Sequence, residues 1–171
     1  MKGDEEFFAF VAPRMDRWRR GAFLICQDWH TADDAVSVAV AKLYRAWPKA
    51  RKADNVEAYA QRVLTRSCVD ELRRGWRKES PTATLPDLAP VGPAGPDLVD
   101  ERQALAALLR SLGPSQRAVL VLRFYLDYSI EETARILGIS EGTVKSQAAR
   151  GLESVRALAQ SVNAKSARSR S

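Results

Sequence analysis

SIEETARILGISEGTVKSQAARGLESVR, residues Ser129 to Arg156, decides how the rest of the chain is read. Ser129 followed three residues later by Glu132 is a capping box, in which each side chain satisfies a backbone N–H left open at a helix start. The helix that begins there should end at Gly138, because a left-handed backbone angle costs glycine little. Ile139 is expected to tuck into the angle between two helices, and Ser140 to accept hydrogen bonds from the first amides of the next. On that second helix Val144, Ala148, Leu152 and Val155 recur at helical spacing and define an inward stripe. Thr143, Ser146 and Arg150 fall roughly opposite, with Lys145 and Gln147 on the flanks. These side chains are donors sized for phosphates and for base edges in a major groove. Cap, turn and outer-face chemistry agree on a DNA-reading helix-turn-helix, and a merely solvated helical hairpin accounts for less of the pattern.

With 171 residues, the chain is one ordinary domain or two small ones. A net charge of +6 favours a polyanion as partner over an acidic protein surface. The two cysteines, Cys26 and Cys68, are too few for a disulfide framework, and neither has a second ligand at metal-binding spacing. They read as buried thiols in a reducing compartment. No apolar run approaches the roughly 20 residues that span a bilayer, and the acidic start Lys2-Gly3-Asp4-Glu5-Glu6 is unlike a signal peptide. A cytoplasmic protein without membrane insertion is expected.

Between residues 79 and 100, Pro81, Pro86, Pro90, Pro93 and Pro96 crowd together with Gly92 and Gly95, a composition unsuited to a helix or a core. The expected fold is all-α, with two small helical domains, 1–78 and 101–160, joined by this Pro/Gly-rich linker. Residues 161–171 are expected to form a disordered basic tail.

The first module opens with Phe7, Phe8, Phe10, Val11, Met15 and Trp18, an apolar set interrupted by Pro13, where a kink or fresh helix start is expected. Phe23, Leu24 and Ile25 continue the burial. Thr31 is expected to cap a helix whose first turn carries Asp33 and Asp34, where carboxylates suit the positive helix end. Val36, Val40, Leu43, Tyr44 and Trp47 follow at helical spacing, and Pro48 should end the element. From Asn55 to about Lys78 a further helix buries Val56, Tyr59, Ala60, Val63, Leu64, Cys68 and Leu72. Its other side gathers Arg62, Arg66, Arg73, Arg74, Arg77 and Lys78 around Trp76, with only Asp70 and Glu71 opposed. Aligned cations follow phosphates, and an aromatic among them can stack on an unpaired base.

No catalytic residue is assigned. Asp33 and Asp34 are neighbours on a helix and point about a third of a turn apart, so they do not face one another. His30, the single histidine, has no serine or cysteine near it in sequence that reads as an obvious nucleophile. Neither a metal nor another cofactor is called for by any spacing.

Three segments together, TADDAVSVAVAKLYRAW, AYAQRVLTRSCVDELRR and SLGPSQRAVLVLRFYLDYSIEETARILGISEGTVKSQAARGLESVR, resemble an extracytoplasmic function (ECF) sigma factor, the minimal two-domain type of bacterial transcription initiation factor. The resemblance implies core RNA polymerase and promoter DNA as partners, an anti-sigma factor as a further one, and no cofactor. It implies that helix 31–47 docks on the β′ clamp helices through Asp34, Lys42 and Arg45, while the second domain meets the β flap. Lys49, Arg51 and Lys52 would belong to a loop, 48–55, that captures a flipped base of the −10 element. Arg66, Ser67, Asp70, Arg73 and Arg74 would read and open its upstream edge, and Thr143, Lys145, Ser146, Gln147 and Arg150 would read the −35 element.

Two alternatives remain in view. A LuxR-type regulator shares a helix-turn-helix with TVK on the recognition helix, but it would carry alternating strands ahead of it. A small recombinase or nuclease would need a nucleophilic serine among arginines or carboxylates converging on Mg²⁺.

Overall fold

The computed structural model of the chain describes residues 2–78 and 104–168. The proline-rich linker 79–100 lies outside them, as do the side chains of Trp76, Arg77 and Lys78. The described residues belong to two compact units, 2–78 in one and 104–168 in the other, and contain no β-strand. The all-α expectation holds, and the strand-bearing module that a LuxR-type regulator would place first is not found in residues 2–78.

In the first unit α1 (Lys2–Val11) passes through one 3₁₀ turn, Ala12–Arg14, into α2 (Met15–Cys26). Pro13 sits at the start of that turn, where a missing N–H costs least. α2 closes on Gln27, whose φ of 59° is left-handed, and its N–H bonds Phe23 O at 2.7 Å. Next comes α3 (Trp29–Ala50), and two sequence expectations fail on it. Its cap is Asp28, whose carboxylate accepts from both the N–H and the hydroxyl of Thr31 at 2.7 Å. Thr31 is thus the capped residue, and Asp33 and Asp34 stand beyond the first turn. Nor does Pro48 end the helix. Trp47 and Ala50 on either side of it are buried, and that anchoring outweighs the hydrogen bond proline cannot make.

α4 (Val56–Lys78) starts at Asn55, whose side chain accepts from Ala58 N at 2.9 Å. It packs on α2 and α3, and α1 packs on α3. Ala32, Ala35 and Ala39 are buried on α3 and let the helices approach closely, while Leu43, Leu64, Ile25 and Phe7 fill the interior. Phe7 and Phe10 meet Trp47 at ring separations of 5.3 and 5.2 Å, so α1 is held by aromatic contacts worth about 0.5–1.5 kcal/mol each beyond burial. Phe8 and Tyr44, expected with the apolar set, are instead exposed; Tyr44 donates to Asp4 at 2.8 Å.

The second unit begins with α5 over 104–110, followed by α6 (Pro114–Leu120), with Pro114 in its first turn. α6 runs on as a π-helical stretch, Val121–Tyr125, whose wide turn is closed by Leu126 N bonding Val121 O at 2.9 Å. α7 (Ile130–Leu137) and α8 (Glu141–Arg168) complete the unit. Val119, Ala134 and Val144, with Ile130, Leu137, Ile139 and Ala148 against them, form the core between the last three helices. α8 continues to Arg168, well past the expected start of a disordered tail. Residues 157–168 include four alanines, which favour helix, and Lys165 and Arg168 suit its negative end.

Candidate nucleic-acid interface

α7 and α8 are joined as their sequence requires. Ser129 Oγ accepts from Glu132 N and the Glu132 carboxylate accepts from Ser129 N, both at 3.0 Å. Gly138 takes a φ of 67°, and Ile139 packs against the core. Ser140 Oγ accepts from Thr143 N at 3.1 Å and lies 2.8 Å from the Thr143 hydroxyl. The start of α8 is therefore fixed by its own side chains before any ligand arrives.

Beyond that cap, Val144 is fully buried and sets the inward direction. Helical rotation then places Ser146 and Arg150 at the centre of the outer face, Thr143 and Gln147 on one flank and Lys145 on the other. Lys145, Ser146 and Arg150 are exposed, whereas Thr143 and Gln147 are half-buried. Among the described residues neither Lys145 nor Arg150 has a carboxylate partner, so both charges face solvent unopposed. Such a face can meet a phosphate or the acceptor edge of guanine without first breaking an internal ion pair. Gly151 completes the inward side and was missed by sequence reasoning. A Cβ there would lie 3.0 Å from Leu120 Cδ1, so the glycine lets α6 and α8 touch. A glycine at the inward spacing of Val144, Ala148 and Val155 is the signal that could have found it. Arg156, six residues after Arg150, is also exposed on the outward half.

On the first unit the cations gather at α4 and at the end of α3. Arg66, Arg73 and Arg74 are exposed, and Arg74 pairs with Glu71 at 3.0 Å. Ser67 departs from expectation. It is 1 % exposed, turned toward α3, and lies 3.4 Å from the Lys42 ammonium, so it offers nothing to a base outside. Asp70 is exposed but leans the same way, 3.7 Å from Lys42. Lys49 belongs to the last turn of α3 rather than to a loop; Arg51 and Lys52 occupy the turn after it, with Lys52 N bonding Lys49 O at 3.1 Å. Arg51 pairs with Glu6 of α1 at 3.0 Å. Of the three docking candidates, Asp34 and Arg45 share one exposed face of α3, with Asp34 3.6 Å from His30, whereas Lys42 is drawn to α4. Asp33 is engaged elsewhere, in a two-bond pair with Arg19 that raises the guanidinium pKa.

Among the described residues, no cluster of three or more His, Cys, Asp or Glu could hold a metal ion, and no helix is long and apolar enough to cross a membrane. The chemistry this surface offers is that of cations and hydroxyls on rigid helices.

Comparison with known proteins separates the same two units. The family model described as sigma-70, region 4 matches residues 102–155, and that described as sigma-70 region 2 matches residues 12–78. An RNA polymerase sigma-E factor of Streptomyces coelicolor is 36% identical over 151 residues, covering 88% of this chain and 84% of that protein. The ECF RNA polymerase sigma factor SigM of Mycobacterium tuberculosis is 39% identical over 119 residues, 70% of this chain and 59% of that one. In fold, the chain is similar to the sigma factor RpoE of Bartonella quintana, solved with the anti-sigma factor NepR, at a TM-score of 0.69 and 23% identity over 94% of this chain and 98% of that one. CnrH, solved with the cytosolic domain of CnrY, follows at a TM-score of 0.63 and 19% identity, covering 92% and 90%.

Proposed function

The chain belongs to the ECF sigma factors, two-domain RNA polymerase initiation factors of the sigma-70 family, and on that premise we propose how its described surfaces divide the work of promoter selection. α8 enters the major groove of the −35 element, with Arg150, Ser146 and Lys145 reaching base edges and phosphates and Thr143 and Gln147 at the flank. The observation that carries this reading is the unopposed charge of Lys145 and Arg150 on a helix whose start is already capped.

The α4 face with Arg66, Arg73 and Arg74 takes the −10 element. Opening a duplex costs a few kcal/mol per unstacked step, and phosphate contacts plus single-strand capture must offset it. Lys49, Arg51 and Lys52 at the end of α3 stand where a displaced base and its phosphates would be held. Arg51 must leave Glu6 to take part, at a small cost, because an exposed pair contributes only about 0–1 kcal/mol. Ser67 serves inside the unit, by packing. Asp34 and Arg45 on the exposed face of α3 dock on the polymerase β′ clamp helices, and the second unit meets the β flap. An anti-sigma factor holds the protein inactive until needed, in line with the partners named for the two similar structures. The site of action is the cytoplasm.

Run-off transcription with core polymerase tests the division of labour. Arg150→Ala should weaken promoters that depend on a −35 element by about 5- to 150-fold, the range of 1–3 kcal/mol for a lost base contact. Arg73→Ala should leave that recognition intact and lower permanganate reactivity of −10 thymines. Transcription at the parent level by both variants would refute the assignment.

A further inference from the structure

Lys42 and Asp70 face one another across α3 and α4 at 3.7 Å, and the same ammonium reaches the buried Ser67 hydroxyl at 3.4 Å. Asp70 lies four residues after Arg66 and three before Arg73, so on its own helix both arginines are within reach of its carboxylate. A carboxylate pairing with Arg73 would remove one of the cations offered to phosphates, and a bare one would repel DNA. In the structure Asp70 leans instead toward Lys42 of α3. Among the described residues Arg73 has no carboxylate partner, which is the consequence expected of this arrangement.

We propose that Lys42 is a positioning residue for −10 recognition, acting through Asp70 to keep Arg73 of α4 available to phosphate, and is not itself a polymerase contact. The inference rests on the assignment of α4 to the −10 element. As a matter of stability the pair counts for little, with its side chains 48% and 57% exposed. Its effect should therefore be found in DNA opening, and not in folding.

The test uses the full chain with core polymerase and a promoter fork carrying the −10 element. Lys42→Met should bind core within twofold of the parent, reduce −10 opening several-fold, and flatten the salt dependence of fork binding by roughly one phosphate contact. Lys42→Met combined with Asp70→Asn should recover opening and salt slope, since no carboxylate then competes for Arg73. Lys42→Arg should behave as the parent. Weakened core binding by Lys42→Met that Asp70→Asn does not repair would overturn the proposal and return Lys42 to the docking face. If Arg73→Ala opens the fork as well as the parent, the assignment of α4 to the −10 element is itself wrong, and the inference falls with it.

Discussion

Among the described residues, Cys68 is a titratable group whose ionisation the fold strongly resists. Its thiol is fully buried on α4 and hydrogen-bonded with the equally buried Cys26 of α2; this bond, together with burial, pushes its pKa far up. Both residues are legible from sequence as buried thiols, but their meeting is not, because α2 and α4 come together only in the folded unit. A pKa raised in the folded state favours the protonated form. Stability from this thiol is therefore complete below its ordinary value, about 8.5, and is lost as pH rises above it, at up to about 1.4 kcal/mol per pH unit. Urea titrations of the parent should show this alkaline loss, and Cys68→Ala should have a shallower one. Equal slopes would mean that the thiol ionises as freely in the folded protein as in the unfolded one. The same burial should protect both cysteines from alkylation until the unit unfolds.

Among the elements, α3 and α8 separate what the sequence states from what only the fold decides. The α7–α8 turn was readable to the residue, because Ser129, Glu132, Gly138 and Ser140 act through bonds to their own near neighbours. The start of α3 was displaced from Asp28 to Thr31 because both residues can cap, and choosing between them depends on where α2 stops; Gln27 stops it by a left-handed turn that favours glycine or asparagine. Asp28→Ala should lower stability by about 1 kcal/mol. Thr31→Val should cost less, since the Thr31 backbone N–H that Asp28 accepts from is untouched. Pro48 and residues 161–168 depart from expectation for the same reason: local rules weigh a residue without the burial or helix continuity around it. At Gly151 two rules oppose one another. Alanine gains helix propensity worth about 1 kcal/mol, yet its Cβ would lie 3.0 to 3.3 Å from three atoms of buried Leu120. We expect Gly151→Ala to melt lower than the parent, and Leu120→Val combined with it to recover part of the loss. A higher melting temperature for Gly151→Ala would show that Leu120 yields freely.

At the scale of the whole molecule, the candidate −10 and −35 surfaces belong to different units, and a net charge of +6 is modest for holding DNA through either. Phosphate contacts lose strength steeply with salt, so the free chain should bind promoters weakly at physiological ionic strength. Holding both surfaces at one separation turns the second contact into an intramolecular event with a high effective concentration, and core polymerase is the partner that can hold them so. Spacing then becomes part of recognition. Inserting about five base pairs between the −35 and −10 elements turns one to the opposite side of the duplex, half of a 10–10.5 base-pair turn. With core polymerase present, transcription should fall to that of a promoter with no −35 element, and Arg150→Ala should cost nothing further on the altered template. Without polymerase, binding of the chain to the two templates should differ little. A free chain that discriminates between them as sharply as the holoenzyme does would mean that the chain sets the separation of its own two units, and that polymerase only reads the result.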